Sequence, residues 1–266
     1  MQMRVIRGCR SKHLLYSICL AAFTISCQSK SVDLVESASH SVVKISVPAL
    51  VGNDSFIGSG FFIDSLGTIA TCYHVLFPHA SVSDRHKKSD SPADTSKLML
   101  TLMNGSTLMT GNVFASDSSN DIALIRASNS PATLADWGVR PVQLSNNELP
   151  IRVGSDALCI GATVLGGYGI GSGRIHGFHV NKGIVSMLGE NYRADGELRP
   201  FAIVLDLQIL GGQSGGPVFD LASGCAIGMI TGSDQFDYHG SINDPGTTVC
   251  TPIHKIMKLY RSANQH

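Results

Sequence analysis

From Val42 onward the chain is cut into short runs of apolar and β-branched residues, each closed by glycine, asparagine, aspartate or another turn former. Runs of that length, bounded by such breakers and rich in valine and isoleucine, fit a pleated surface and predict strands. The first set is SVVKISV (41–47), GFFID (60–64), TIATCYHVL (68–76), LMLTLM (98–103), TLMTGNVFA (107–115) and DIALIRA (121–127). SLGT and MNGST suit hairpin turns, because Gly67 and the Asn104-Gly105 pair tolerate positive φ. A second set follows: ALCIGATVL (157–165), NKGIVSML (181–188), AIVLDLQI (202–209), CAIGMIT (225–231) and TTVCTPI (247–253). Only the tail changes period, with Ile253, Ile256, Met257 and Tyr260 at helical spacing. The expected fold class is all-β, two antiparallel barrels closed by a C-terminal helix.

The boundaries follow the changes of character. Residues 41–130 form the first barrel, 131–155 a linker marked by Pro131, Pro141 and Pro150, 156–253 the second barrel, and 254–266 the helix. The polar segment 79–96 and the glycine-rich segment 166–174 read as surface loops. At the N-terminus, Arg4, Arg7, Arg10 and Lys12 precede the apolar LLYSICLAAFTIS (14–26), which is short for a membrane span and reads as an export signal. It runs into TISC, ending at Cys27, and resembles a bacterial lipoprotein processing site in which that cysteine becomes the lipidated first residue. Thr24 stands where such sites usually carry leucine, so plain secretory cleavage and an uncleaved anchor stay open. Residues 28–40 read as a tether or a short helical lead-in. The expected location is the bacterial cell envelope, periplasmic or lipid-anchored.

With 20 basic and 20 acidic side chains among 266 residues, the chain lacks the charge bias of a general polyanion binder, and no nucleic-acid partner is expected. Four cysteines lie beyond Cys27, at 72, 159, 225 and 250. Four cysteines allow three disulfide connectivities, and buried free thiols are an equal reading. No paired C-x-x-C occurs, so no structural zinc is expected, and His176 and His179 in HGFH read as a solvated loop rather than metal ligands. No cofactor is expected.

The stretch GGQSGGPVF (211–219) sets one serine among four glycines. A serine hydroxyl is a weak nucleophile near neutral pH. It needs a histidine to take its proton, a carboxylate to orient that histidine, and backbone N–H groups facing the developing oxyanion. His74 ends an apolar strand, where a side chain can project into a cleft between barrels. Asp121 stands at the entrance to DIALIRA, and Ser214 completes the set. Glycines 211, 212, 215 and 216 permit the backbone that would turn the N–H groups of Gly212 and Ser214 to one point. Cys72, two residues before His74 on the same expected strand, should share its face.

GSGFFIDSLGTIATCYHVL, NDIALIRA, NKGIVSMLGE and GGQSGGPVFDLASGCAIGMIT together resemble chymotrypsin-fold serine proteases of the HtrA/Deg-like branch, in order and approximate spacing, over about 37–260. The resemblance implies two six-stranded barrels with the site between them. It implies His74 as general base, Asp121 as its orienting acid, Ser214 as nucleophile, and Gly212 with Ser214 as the oxyanion hole. By the same likeness the specificity pocket lies near Leu207–Leu210, including Gln208, and around Ile230, Thr231 and Gly232. With no acid beside Ile230 and Thr231, a small or apolar substrate side chain is expected. Gln213 departs from the aspartate of trypsin-like zymogens and the asparagine frequent in HtrA-like enzymes, which leaves the shape of the loop at rest as a question. Only the short helix follows the second barrel, so no PDZ domain is expected. Two functions follow: an exported serine endopeptidase acting on proteins or peptides, or a catalytically silent protease-fold module that binds them.

Overall fold

In a computed structural model of the protein, residues 30–48, 55–77, 98–105, 107–109, 111–145, 151–166, 174–192, 198–233 and 246–265 are described. The signal-like segment with Cys27, the loop 79–96 and most of the glycine-rich loop 166–174 lie outside them. A helix, α1, covers 30–38. The first half then supplies β1 (Val42–Pro48), β2 (Ser55–Phe62), β3 (Thr68–Thr71), α2 (Tyr73–Leu76), β4 (Met99–Leu102), β5 (Thr107–Met109), β6 (Gly111–Asp117) and β7 (Ile122–Ala127). A short α3 (Pro131–Asp136) follows, capped by the Ser130 side chain on Thr133 N–H with proline in its first turn. The second half supplies β8 (Asp156–Gly166), β9 (Arg174–Tyr192), β10 (Leu198–Asp206), β11 (Pro217–Asp220), β12 (Ala226–Ser233) and β13 (Thr247–Pro252), then α4 (Ile253–Ala263).

The expected all-β architecture holds. Strands β8 to β13 close into an antiparallel barrel in the order β10-β13-β12-β11-β8-β9. The first half is a sheet in the order β5-β4-β1-β2-β3-β7-β6. Its two edges come from neighbouring pieces of chain, since β5 ends at Met109 and β6 begins at Gly111. The stretch the sequence reads as one strand therefore pairs with β4 at its start and β7 at its end, which bends the sheet round on itself.

Alternation along β8 explains how the halves join. Ala157 and Cys159 point into the second barrel with Val185, Ile203, Leu205, Val218, Ile230 and Cys250. Leu158 and Ile160 point the other way, into a core shared with Val43, Ile45, Phe61, Phe62 and Leu124 of the first half. Each such side chain contributes roughly 1.5–3 kcal/mol by leaving water, so the cleft between the halves has a fixed apolar floor. The helix α4 buries Ile253 and Ile256 in the same core, and the Tyr260 hydroxyl donates to Asp64 Oδ2 at 2.7 Å. Among the described residues no helix is long and apolar enough to cross a membrane.

Three local readings change. TIATCYHVL is not one strand: β3 stops at Thr71, and His74 sits in the single-turn α2. β9 runs through HGFH, so His176 and His179 belong to a strand that pairs with β8 from Asp156 to Gly166 rather than to a loop. PVFD, downstream of Ser214, forms β11 and supplies the sixth strand of the second barrel.

Candidate active site

Strand pairing brings His74 and Asp121 together. β3 and β7 are antiparallel with Thr71 opposite Ala123, so the residues just after β3 meet those just before β7, and Tyr73 N–H donates to Asp121 O at 3.2 Å. Both strands are buried almost throughout, which fixes that register. Asp121 Oδ1 accepts from His74 N–H at 3.0 Å, and Asp121 Oδ2 lies 2.7 Å from His74 Nδ1. With the carboxylate as acceptor, Nδ1 is the donor, an arrangement that in the neutral imidazole leaves Nε2 free to take a proton. Asp121 is the one non-glycine residue with positive φ among the described residues, at 55°. Such a conformation costs a side-chain-bearing residue roughly 1–2 kcal/mol, and the bonds to His74 and Tyr73 hold it.

The next layer braces this pair. Thr251 Oγ1 donates to Asn120 O at 3.2 Å, and Lys255 Nζ of α4 donates to Asn120 Oδ1 at 3.1 Å, so the second half and its helix support the turn that presents Asp121. The Cys72 thiol, fully buried, donates to Ile230 O at 3.1 Å. Burial first, then the charge and hydrogen bonding of Asp121, push that thiol well above its ordinary pKa, so it stays protonated and is no nucleophile. Cys159, Cys225 and Cys250 are also free and buried. Cys72, His74 and Asp121 form the one grouping of potential metal ligands within 4.8 Å among the described residues. Its atoms are already joined in hydrogen bonds, to one another and to the Ile230 carbonyl.

Ser214 lies in the loop before β11. Its carbonyl accepts from Ser59 N–H of β2 at 2.8 Å, while Gly215 N–H donates to Ile230 O at 2.8 Å. That carbonyl is the one the Cys72 thiol also meets, so the loop and the His74 turn share an anchor. The Ser214 hydroxyl contacts Thr231 O at 3.4 Å, a long and weak bond, and no hydrogen bond joins it to His74 among the described residues. The N–H groups of Gly212 and Ser214 have no hydrogen-bond acceptor among the described residues, whereas Gln213 N–H between them turns back to Leu210 O at 3.2 Å.

Gln213 answers its question directly. It is fully buried, and its side-chain amide is paired at both ends: Oε1 accepts from Leu210 N–H at 2.7 Å and Nε2 donates to Asn181 Oδ1 at 2.8 Å. Asn181 of β9 also donates to Gln208 O at 2.7 Å and meets His179 Nδ1 at 2.8 Å. The loop is thus pinned by a neutral amide clamp, with no ionic partner needed. Asn181, Ser59 and Thr163 are the residues sequence reading passed over. The available signal was a hydroxyl in otherwise apolar buried strands, as in GSGFF and CIGATVL. Of the expected pocket residues, Ile230 is fully buried in the second-barrel core and offers only its backbone. Thr231 is half-buried and Gln208 exposed. A side chain added at Gly232 would meet nothing within 4 Å among the described residues.

Solved structures with a similar fold include proteases. The chain is similar in structure to a serine endoprotease from Yersinia pestis, at 22% identity and a TM-score of 0.58, over 86% of this chain and 65% of that one. It is likewise similar to the HtrA-type protease AlgW, solved with a tripeptide, at 22% identity and a TM-score of 0.61, over 87% of this chain and 62% of that one. At such identity the likeness is one of fold, and this chain spans less than two thirds of the length of either protein. No curated protein matches the sequence. The trypsin-like peptidase domain matches residues 58–229, more than half of the 266 residues, from within β2 to within β12. The chain belongs to the trypsin-like peptidase family.

Proposed function

We propose that this chain is an exported serine endopeptidase acting on flexible or unfolded protein segments. In this reading Ser214 Oγ attacks the peptide carbonyl while His74 Nε2 takes its proton, and the imidazolium is held by Asp121. The carbonyl oxygen, now negative, receives the N–H groups of Gly212 and Ser214. His74 then gives its proton to the departing amine. Water, deprotonated by the same imidazole, releases the acyl group and restores the Ser214 hydroxyl. The observation that carries the reading is the double hold of Asp121 on His74, one oxygen on the backbone N–H and one on Nδ1. That arrangement fixes both the ring's position and its tautomer, which an incidental surface contact would not require. The Ser214 hydroxyl meets Thr231 O, and in this reading its bond to His74 forms in the complex with substrate, where catalytic hydrogen bonds tighten. The apolar or uncharged side chains of Ile230 and Thr231 support a small or apolar residue next to the cut bond.

A fluorophosphonate probe tests the chemistry. The intact protein should become labelled and should cleave unfolded casein; Ser214→Ala should not label, and His74→Ala should label at least about 1,000-fold more slowly. If the intact protein neither labels nor cuts casein across pH, the chain is a silent module that binds peptides. Export and lipid attachment rest on the basic head, the apolar 14–26 and Cys27. Mass analysis of the mature N-terminus from envelope fractions should find diacylglycerol on Cys27, and an unmodified or differently cut N-terminus would remove the lipid anchor from this account.

A further inference from the structure

The Gly211–Gly212 peptide raises a problem that its own sequence cannot solve. With no Cβ on either side, that peptide can rotate as a unit, placing either its N–H or its carbonyl in the oxyanion hole. Only the first orientation helps a developing negative charge. Something outside the loop has to choose.

We propose that the hydroxyl of Thr163 makes this choice and is a positioning residue for catalysis, an inference that rests on reading Ser214 as the nucleophile. Thr163 is 4% exposed, on β8, and its Oγ1 donates to Gly211 O at 3.1 Å. The described residues contain no cis peptide, so fixing the Gly211 carbonyl toward Thr163 turns Gly212 N–H to the opposite side, where it has no acceptor among the described residues. Rotating the peptide would take away the acceptor of a buried hydroxyl, which is unfavourable. The next carbonyl is held separately. Ser59 Oγ, fully buried, donates to Gly212 O at 2.7 Å while accepting Ala162 N–H at 2.7 Å. Gly212 itself, at φ +95°, sits so close that a Cβ there would lie 2.8 Å from Ala162 O. The loop therefore rests on residues 162–163 of β8, and of the two hydroxyls only Thr163 acts on the peptide whose orientation decides whether the hole exists.

The test compares Thr163→Val, which removes the hydroxyl, with Thr163→Ser, which keeps it, and with Thr163→Ala as a second deletion should valine prevent folding. Substrate is the best-cleaved casein peptide of the intact protein, and the probes are its aldehyde, whose hemiacetal oxygen occupies the hole, and its cleaved product, which does not need it. The valine and alanine variants should lose about 10- to 100-fold in kcat, less than the full removal of a hole donor, with KM within about two-fold. Aldehyde affinity should fall by the same factor as kcat/KM, product affinity should stay unchanged, and serine should restore kcat to within about three-fold. Unchanged kcat in both deletions would overturn the assignment. So would a loss shared equally by product affinity and not recovered by serine, the mark of a merely structural role. Failure of the intact protein to label at Ser214 or cut casein would instead remove the nucleophile, and this inference with it.

Discussion

Asp121→Asn should reduce kcat about 10⁴-fold while leaving the protein folded. The carboxylate makes two bonds to one residue, from Oδ1 to the His74 backbone N–H and from Oδ2 to Nδ1. Asparagine keeps the first, because its carbonyl oxygen still accepts, but then turns its NH₂ toward Nδ1. The imidazole answers by moving its proton to Nε2, the nitrogen that must be empty to receive the Ser214 proton. Stability should survive, since asparagine is among the few residues that tolerate the φ of 55° recorded at this position. Alanine would lose the side-chain bonds and keep the strained backbone, so Asp121→Ala should be both inactive and less stable. Steady-state kinetics on the casein peptide, with thermal unfolding beside them, separates these cases. An asparagine variant within ten-fold of the intact protein would break the assignment of His74 as general base.

The site's chemistry was more legible in the sequence than its geometry. His74, Asp121 and Ser214 could be picked out because each stands at the edge of an apolar run, where a polar side chain calls for a reason. The location of His74 was misread. YHVL is apolar and β-branched enough to pass for the end of a strand, and the helical turn it forms carries no capping signal, since the Cys72 side chain at its N-cap makes no capping bond. β9 was cut short for the opposite reason. Gly177 and Gly189 look like breakers, yet pairing with β8 and β10 carries the strand through both. Gln213 and Asn181 pair with each other 32 residues apart, while Thr163 and Ser59 reach Gly211 and Gly212 across 48 and 153 residues. No local pattern reports such contacts; at most, a lone hydroxyl inside an apolar strand hints that something needs it.

The same loop supplies the largest expected effect on stability, at Gly215. Its φ is +88°, and a Cβ there would lie 2.0 Å from Ser59 O and 2.6 Å from Thr71 Oγ1. Neither neighbour can yield easily. The Ser59 carbonyl belongs to β2 and accepts the Thr71 hydroxyl at 2.7 Å, so moving it disturbs the strand beside His74. The loop would have to move instead, breaking the Ser59 N–H bond to Ser214 O and the Gly215 N–H bond to Ile230 O, each 2.8 Å. A left-handed backbone, a main-chain clash and two lost buried hydrogen bonds place Gly215→Ala beyond the usual range of single substitutions, at about 4–5 kcal/mol. For a chain of this size that lowers Tm by about 10 °C or more. Gly211, four residues earlier in GGQSGG, supplies the control: a Cβ there would meet nothing within 4 Å among the described residues, and its φ is not among the positive ones. Gly211→Ala should therefore unfold within about 2 °C of the intact protein, as surface changes usually do. Near-UV circular dichroism against temperature measures both, and equal Tm values would mean that β2 does not hold Ser214 as the packing around Gly215 requires.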